Sequence, residues 1–242
     1  MPLPVSHYTV YASGDQAMTL SLGNSITAGS HHRIVTMRHW VESNLFDGLK
    51  DCIAAYSSLT IIYDVSAMRR SLKTEHAGAF VHDYLVRAYH NSGSIGSGND
   101  GRVVRIPVCY DDVFAPDMED VCRLRGLTRE AVIALHTGRT YRVYMVGFLP
   151  GFAYLAEVDE RLATGRRQQP RPRVEAGSIG VAGIQTGIYP VASPGGWQII
   201  GRTPVAMFTP TADPPVLLAA GDEVCFYSID RVAYDDIKQQ RQ

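Results

Sequence analysis

The stretch between residues 144 and 202 limits the fold of this chain more than any other. It reads YMVGFLPGFAYL, then PRVEAGSIGVAGIQTGIYP, then SPGGWQIIGRTP, with glycine, proline or another small residue every few positions between short apolar runs. Glycine is tolerated where a backbone turns sharply or lies close to another group. The pattern predicts compact β structure with loops shaped for a site. Gln185, Thr186, Ser193 and Arg202 are the polar side chains beside those turns.

The rest of the chain supplies an ordinary globular background. Its 242 residues are enough for one large domain or two ordinary ones. Apolar residues make up 45% and charged residues 19%, with a formal net charge of -1, so electrostatics give no case for nucleic acid or an acidic membrane as main partner. The four cysteines, Cys52, Cys109, Cys122 and Cys225, lie far apart, without metal-ligand spacing, and read as free thiols in a reducing compartment. The first residues lack the basic start and apolar run of a signal peptide, and no apolar run approaches a membrane span, which predicts a cytoplasmic protein.

Hydrophobic periodicity orders the first hundred residues as ββαββα, a small α+β domain over residues 1–92. Residues 7–11 and 17–22 read as strands around a turn at Ser13-Gly14-Asp15. Asn24 is positioned to cap a helix burying Ile34, Met37, Val41 and Leu45. Residues 52–55 and 59–65 read as a second strand pair, and Ala77, Phe80, Val81, Tyr84 and Ala88 mark one face of a second helix. Residues 93–101 fall within a glycine- and serine-rich run with almost nothing to bury; composition favours a flexible connector over an extended loop within one domain. Over residues 102–242 a strand at 103–108 and two short helices at 117–125 and 128–136 precede a series of strands at 141–146, 178–182, 197–200, 205–208 and 223–229, the last after a hairpin-type turn at Gly221-Asp222. Many short strands between Gly/Pro turns predict a barrel or sandwich.

Most candidate motifs have a plain reading. Residues 196–203 come within one position of a phosphate-binding loop, but the strand-like Trp-Gln-Ile-Ile interior and Pro204 argue against it. His136 ends a predicted helix, where an imidazolium serves acid–base work or, more simply, caps the last carbonyls. The other histidines, including His31 and His32, read as surface residues. Arg161, Arg166, Arg167, Arg171 and Arg173 form a basic cluster stiffened by Pro170 and Pro172, suited either to carboxylate or phosphate recognition or to a solvated loop. Gln185 and Thr186 are able to hold a small lactam or ureido group, or to satisfy a turn. Tyr144, Phe148, Pro150 and Phe152 are candidates for the wall of an apolar pocket or for plain packing. The run Asp111, Asp112, Asp117, Glu119, Asp120 has no calcium-loop spacing.

Taken together, GFLPGFAYL at residues 147–155, AGSIGVAGIQTGIYP at 176–190 and SPGGWQIIGRTP at 193–204 resemble the family of B-type 5-oxoprolinase subunits, also labelled allophanate hydrolase subunit 1 and Kip-type kinase inhibitor. The resemblance extends to IPVCY at 106–110 and to Leu135-His136, and so covers essentially the whole chain. It implies a small α+β N-terminal domain followed by a cyclophilin-like β-barrel. It also implies a homologous C-type subunit, an A-type subunit, and a shared reaction that opens 5-oxoproline to glutamate with ATP. Gly165 and Glu175 stand where the family more usually has proline, which loosens the arginine-rich loop.

If the chain contributes directly, the resemblance and residue chemistry assign His136 as proton shuttle. Gln185 and Thr186 become substrate contacts, with Ser193, Gly195 and Gly196 at the same turns, and Arg202 and Arg171 become the anion clamp. No nucleophile of the usual kind is visible, which fits a site shared with partner chains and a subunit inactive alone. No motif places ATP and none implies a metal. Two other readings stay open: a binding module that inhibits a histidine kinase, and one half of a biotin-dependent carboxyltransferase such as urea carboxylase.

Overall fold

Strict alternation of buried and part-buried positions along Ser58–Tyr63 places Leu59, Ile61 and Tyr63 on one face of a strand, and an apolar core forms against that face. The structure, a computed structural model, describes residues 8–24, 27–73, 76–92 and 102–240. The chain divides into two compact units, residues 1–99 and 100–242. The expected connector at 93–101 lies outside the described residues.

In the first unit, β1 (Thr9–Ala12), β2 (Ala17–Ser21), β3 (Leu49–Ala54) and β4 (Ser58–Tyr63) form an antiparallel sheet in the order β1-β2-β4-β3. Helix α1 (Ala28–Ser43) and helix α3 (Ala77–Asn91) pack against the sheet and each other, with the short α2 (Val65–Ser71) between them in sequence. The core joins Leu20, Leu59 and Ile61 of the sheet to Ile34, Met37 and Val41 of α1 and Val81, Leu85 and Ala88 of α3. Thr27, not Asn24, caps α1: its hydroxyl accepts from the Ser30 amide at 3.1 Å. Leu45 falls beyond the helix and is 72% exposed, so it leaves the predicted buried face. His31, expected at the surface, is fully buried. The periodicity missed α2, a helix too short to carry a periodic signal.

The second unit is a closed seven-stranded barrel in the order β10-β7-β6-β13-β5-β12-β9. Its strands are β5 (Val103–Cys109), β6 (Thr140–Val146), β7 (Ala153–Ala156), β9 (Ser178–Ala182), β10 (Gln185–Ile188), β12 (Gln198–Arg202) and β13 (Glu223–Ile229). The β9–β10 hairpin completes the ring, and β13 runs parallel to β5 while the other pairs are antiparallel. A separate ribbon pairs β8 (Arg171–Val174) with β11 (Ser193–Gly195). Helix α4 (Met118–Arg125) packs on β12, α5 (Arg129–Thr137) on β13 and α6 (Arg231–Gln239) on β5. Inward residues including Ile106, Val143, Leu155, Ile179, Ile188 and Val224 fill the barrel. The whole chain is thus α+β with a closed mixed barrel.

Two strand expectations change. Residues 205–208 form no strand; Phe208 makes an isolated bridge to Val216. The turn at Gly221-Asp222 is real, with the Asp222 carboxylate accepting from the Ala219 amide at 2.9 Å, but β13 pairs with β5 and β6 rather than with a strand directly before it. Among the described residues no helix is long and apolar enough to cross a membrane.

Gly177 is the glycine the barrel rim depends on. Its φ is +81°, its N–H donates to the Tyr189 carbonyl at 2.7 Å, and its carbonyl accepts from Thr203 at 2.9 Å. A Cβ there would collide with the Thr203 carbonyl oxygen. Gly177→Ala is expected to destabilise the protein by more than about 2 kcal/mol, since left-handed strain and backbone collision add. A urea titration of the variant beside the parent measures it.

Candidate functional site

Asp117 stands at the N-cap of α4, where a carboxylate ordinarily accepts from the helix's own first amides, yet its side chain makes no such bond. It turns inward instead and is fully buried. Arg171 of β8 grips it with two donors, at 2.6 and 2.7 Å, and Arg167 donates to it as well. The backbone N–H of Ile199 in β12 donates to the same carboxylate at 2.7 Å, while the Asp117 N–H donates to the Ile199 carbonyl at 3.0 Å. A buried carboxylate is tolerable when paired and saturated with hydrogen bonds in this way. One anchor thereby fixes the start of α4, the arginine-rich loop, the β8–β11 ribbon and β12.

Around this anchor open three hollows. The first, of about 120 Å³, is an aromatic cleft lined by Phe148, Phe152, Tyr154, Tyr189 and Trp197, with Gly195, Gly196 and Arg166 at its edge. Phe152 is its centre, edge-to-face with Phe148, Tyr189 and Trp197 at centroid distances of 5.8, 5.2 and 5.5 Å. Gly195 pairs in register with Arg171, and a Cβ on it would strike the Tyr189 ring and hydroxyl, so glycine is what lets the ribbon approach the cleft. Burial raises the hydroxyl pKa values of Tyr189 and Tyr154, keeping both neutral donors. Phe148 is 67% exposed with φ +70°, a conformation costing a non-glycine residue about 1–3 kcal/mol.

The second hollow, of about 560 Å³, lies between α4 and the loop at 164–169 and is lined by Arg123, Arg166, Arg167, Gln168, Gln169 and Gln198 among others. Arg166 belongs to both hollows. The third, of about 150 Å³, runs from Phe114 past Arg171, Glu175 and Ser178 to Arg202.

The barrel interior holds a polar relay. Tyr110 Oη meets His136 Nδ1 at 2.7 Å, and His136 Nε2 meets Thr186 Oγ1 at 3.0 Å. Thr186 donates to the Gly180 carbonyl at 3.0 Å, so its one proton is committed. His136 therefore carries its proton on Nε2 and accepts from Tyr110 on Nδ1. The ring stacks on Phe226 at 4.5 Å and is wholly buried, and desolvation pulls its pKa down to about 3. The imidazole is neutral, not the charged helix cap expected at the end of α5.

Several expected site residues are engaged elsewhere. Arg171 is spent on Asp117. Arg202 donates through Nε to the Ala176 carbonyl at 2.7 Å, and its guanidinium stands 4.0 Å from Glu175 and over the Phe114 ring. Thr186 faces the relay, and both it and the half-buried Gln185 sit on β10 rather than at a turn. Ser193 is buried on β11, its hydroxyl donating to the Pro194 carbonyl at 3.3 Å. Tyr144 is buried in β6 and Pro150 is exposed; neither lines the aromatic cleft. Phe148, Phe152, Gly195 and Gly196 do come together there. The departures at Gly165 and Glu175 do not leave the loop untethered: the Gly165 carbonyl accepts from Gln198 Nε2 at 3.1 Å, and Glu175 pairs with Arg173 at 2.6 Å. The acidic run is largely neutralised by arginines, Asp112 by Arg129 and Asp120 by Arg123. Sequence reasoning missed Asp117 as an anchor and Gln198 as a lining residue; a lone amide inside Trp-Gln-Ile-Ile was the available signal.

Two outcomes follow from these geometries. Asp117→Ala leaves two guanidinium groups and the Ile199 N–H without their shared acceptor, and is expected to cost about 3 kcal/mol or more, with Asp117→Asn costing less; denaturant unfolding tests both. His136 has a folded pKa near 3 against 6.5 unfolded, so the unfolded chain binds the extra proton as pH drops. This contribution is intact above about pH 6.5 and is lost at about 1.4 kcal/mol per pH unit down towards pH 3. Stability against pH for the parent and His136→Gln should diverge in that window.

Residues 8–218 match the carboxyltransferase domain family, subdomains C and D. The chain is 38% identical to the B-type 5-oxoprolinase subunit of Bacillus subtilis (strain 168), covering 96% of this chain and 98% of that protein. It is 36% identical to the protein of the same name from Escherichia coli O157:H7, over 89% of this chain and 94% of that one. Among solved structures, TTHA0988 aligns at 36% identity with a TM-score of 0.75, covering 89% of this chain and 40% of the larger one. The Kluyveromyces lactis urea amidolyase shares the fold at 18% identity and a TM-score of 0.74, over 96% of this chain and 15% of that one. On a match spanning nearly all of both sequences, the chain belongs to the family of B-type 5-oxoprolinase subunits.

Proposed function

We propose that this chain is the B-type subunit of an ATP-dependent 5-oxoprolinase, working with a C-type and an A-type subunit in the cytoplasm and inactive alone. The observation that carries the reading is the alignment with the Bacillus subtilis 5-oxoprolinase subunit over 96% of this chain and 98% of that protein. By the same reading the barrel belongs among cyclophilin-like folds.

The reaction needs an activated amide oxygen, because a lactam carbonyl is a poor electrophile. Phosphorylation of that oxygen by ATP, with ADP leaving, makes the ring carbon electrophilic; water adds there, the ring nitrogen takes a proton and leaves as the amine, and a second water hydrolyses the resulting acyl phosphate to glutamate and phosphate. Residues 196–203, the nearest thing to a phosphate loop, run largely as strand β12 rather than as a loop opening a helix, so nothing in them cradles phosphate. We assign nucleotide chemistry to a partner subunit. This chain's part is to bind and orient the substrate: Gly195 and Gly196 leave room at the cleft, and Phe152, Tyr189 and Trp197 exclude water around it. His136, neutral and enclosed, is a positioning residue that holds α5 to β10 and not a proton shuttle.

Reconstitution tests the reading. The three-subunit mixture is expected to release glutamate from 5-oxo-L-proline only with ATP and only when this chain is present; equal rates without it overturn the assignment. Gly195→Ala, which pushes Tyr189 into the cleft, should raise KM or lower kcat by at least about tenfold. The family's carboxyltransferase description favours one alternative, half of a biotin-dependent carboxyltransferase, which predicts binding of a biotinylated carrier domain.

A further inference from the structure

Five arginines crowd the segment from residue 161 to 173, and all but one are committed to internal carboxylates. Arg161 pairs with Asp159 at 2.8 Å and Arg173 with Glu175 at 2.6 Å, while Arg167 and Arg171 share the buried Asp117. Arg166 is the exception: it is exposed, and no carboxylate among the described residues stands within ion-pair distance of it. Its backbone is nevertheless fixed on both sides. The Gly165 carbonyl before it accepts from Gln198 Nε2 at 3.1 Å, and the Arg167 N–H after it donates to the Gly196 carbonyl at 2.8 Å. The second bond ties the loop to the edge of the aromatic cleft, whose lining includes Gly195, Gly196 and Arg166 itself. Burial raises the pKa values of the Tyr154 and Tyr189 hydroxyls in that cleft, and the nearby Arg166 charge partly offsets the rise at both. Across the cleft the Trp197 wall is equally fixed. Gly180 and Gly187 are register partners on β9 and β10, and a Cβ on either would press into the Trp197 side chain, so the indole lies directly over that pair. Aromatic walls, about 120 Å³ of space and one cation with no acidic side chain in the lining suit a small flat body carrying one carboxylate.

We propose that Arg166 is the specificity-determining residue of the aromatic cleft, its guanidinium pairing with the carboxylate of a substrate whose ring lies among Phe152, Tyr189 and Trp197. The inference rests on the 5-oxoprolinase function proposed above and names how this chain tells the acid from the bare lactam. Arg171 and Arg202, the clamp expected from the sequence, are held by internal partners, whereas Arg166 keeps a fixed backbone and an uncommitted fork of donors.

The test compares the parent with Arg166→Ala and Arg166→Lys, in the reconstituted three-subunit enzyme and in calorimetric titrations of this chain bound to a C-type subunit. The probes are 5-oxo-L-proline, cyclopentanecarboxylate, which lacks the lactam, and 2-pyrrolidinone, which lacks the carboxylate. Arg166→Ala removes no internal ion pair, so the variant is expected to fold. It should raise the KM for 5-oxo-L-proline and the inhibition constant of cyclopentanecarboxylate by at least about tenfold, and leave that of 2-pyrrolidinone unchanged. Arg166→Lys keeps the charge without the fork and should recover part of the loss. Equal weakening of all three probes marks a structural role and overturns the proposal, as does an unchanged response to both carboxylates. Loss of the C-type subunit on gel filtration at unchanged probe affinity overturns it too, because the guanidinium then pairs with the partner chain. An active enzyme whose KM ignores Arg166→Ala removes this role and spares the enzyme assignment. An inactive parent mixture removes that assignment, and the titrations then decide alone: binding of 5-oxo-L-proline that depends on Arg166 upholds the role, and binding that is absent or independent of Arg166 ends it.

Discussion

A carboxylate with no solvent contact holds together the face of the barrel where the hollows open. Asp117 accepts from Arg171, Arg167 and the Ile199 amide, and so joins segments far apart in sequence: the entry to α4, the loop before β8, the ribbon strand and β12. The arrangement spends two guanidinium groups on architecture. An arginine count alone would credit this face with far more anion-binding capacity than it has, since Arg171, Arg167, Arg123 and Arg202 all have internal partners. What is left for a ligand is Arg166 at the rim.

The barrel interior solves a different problem by different means. Tyr110, His136, Thr186 and the Gly180 carbonyl form a chain in which each link is neutral and each proton has a place to go. Such a satisfied network adds rigidity without the desolvation cost of a buried ion. The Tyr141 hydroxyl, donating at 2.8 Å to the His136 carbonyl, also closes the C-terminal end of α5, the capping role that the histidine itself was expected to play. The two networks are complementary: one charged and at the rim, one uncharged and central.

Much of this fold was legible in the sequence because its signals are local. Period-two burial in residues 58–63, helix periodicity in residues 77–91 and the Thr128 cap of α5 are each written in a few neighbouring residues. The glycine-rich motifs announced a shaped β region, and Phe148, Phe152, Gly195 and Gly196 do share a cleft. What escaped depended on residues distant in sequence. Nothing near Asp117 shows that Arg171 will reach it in preference to solvent, and nothing near His136 shows that β10 will bring Thr186 against its ring. Strands β7, β8, β10 and β11, of three or four residues each, are too short for alternation to declare itself. Gln185 and Thr186 looked like turn residues because glycines flank them, and the turn in fact ends one residue earlier.

The parallel pairing of β13 with β5 joins residues 103–109 to residues 223–229, some 120 positions apart. A ribosome releasing this chain must therefore finish nearly the entire second unit before the ring can shut, while the first unit's sheet, built from strands within residues 9–63, is available long before. In the interval β5 has an unpaired edge open to the wrong neighbour. Newly made protein thus passes through a stage in which the first unit's strands are all available while the second unit's ring still lacks its closing strand.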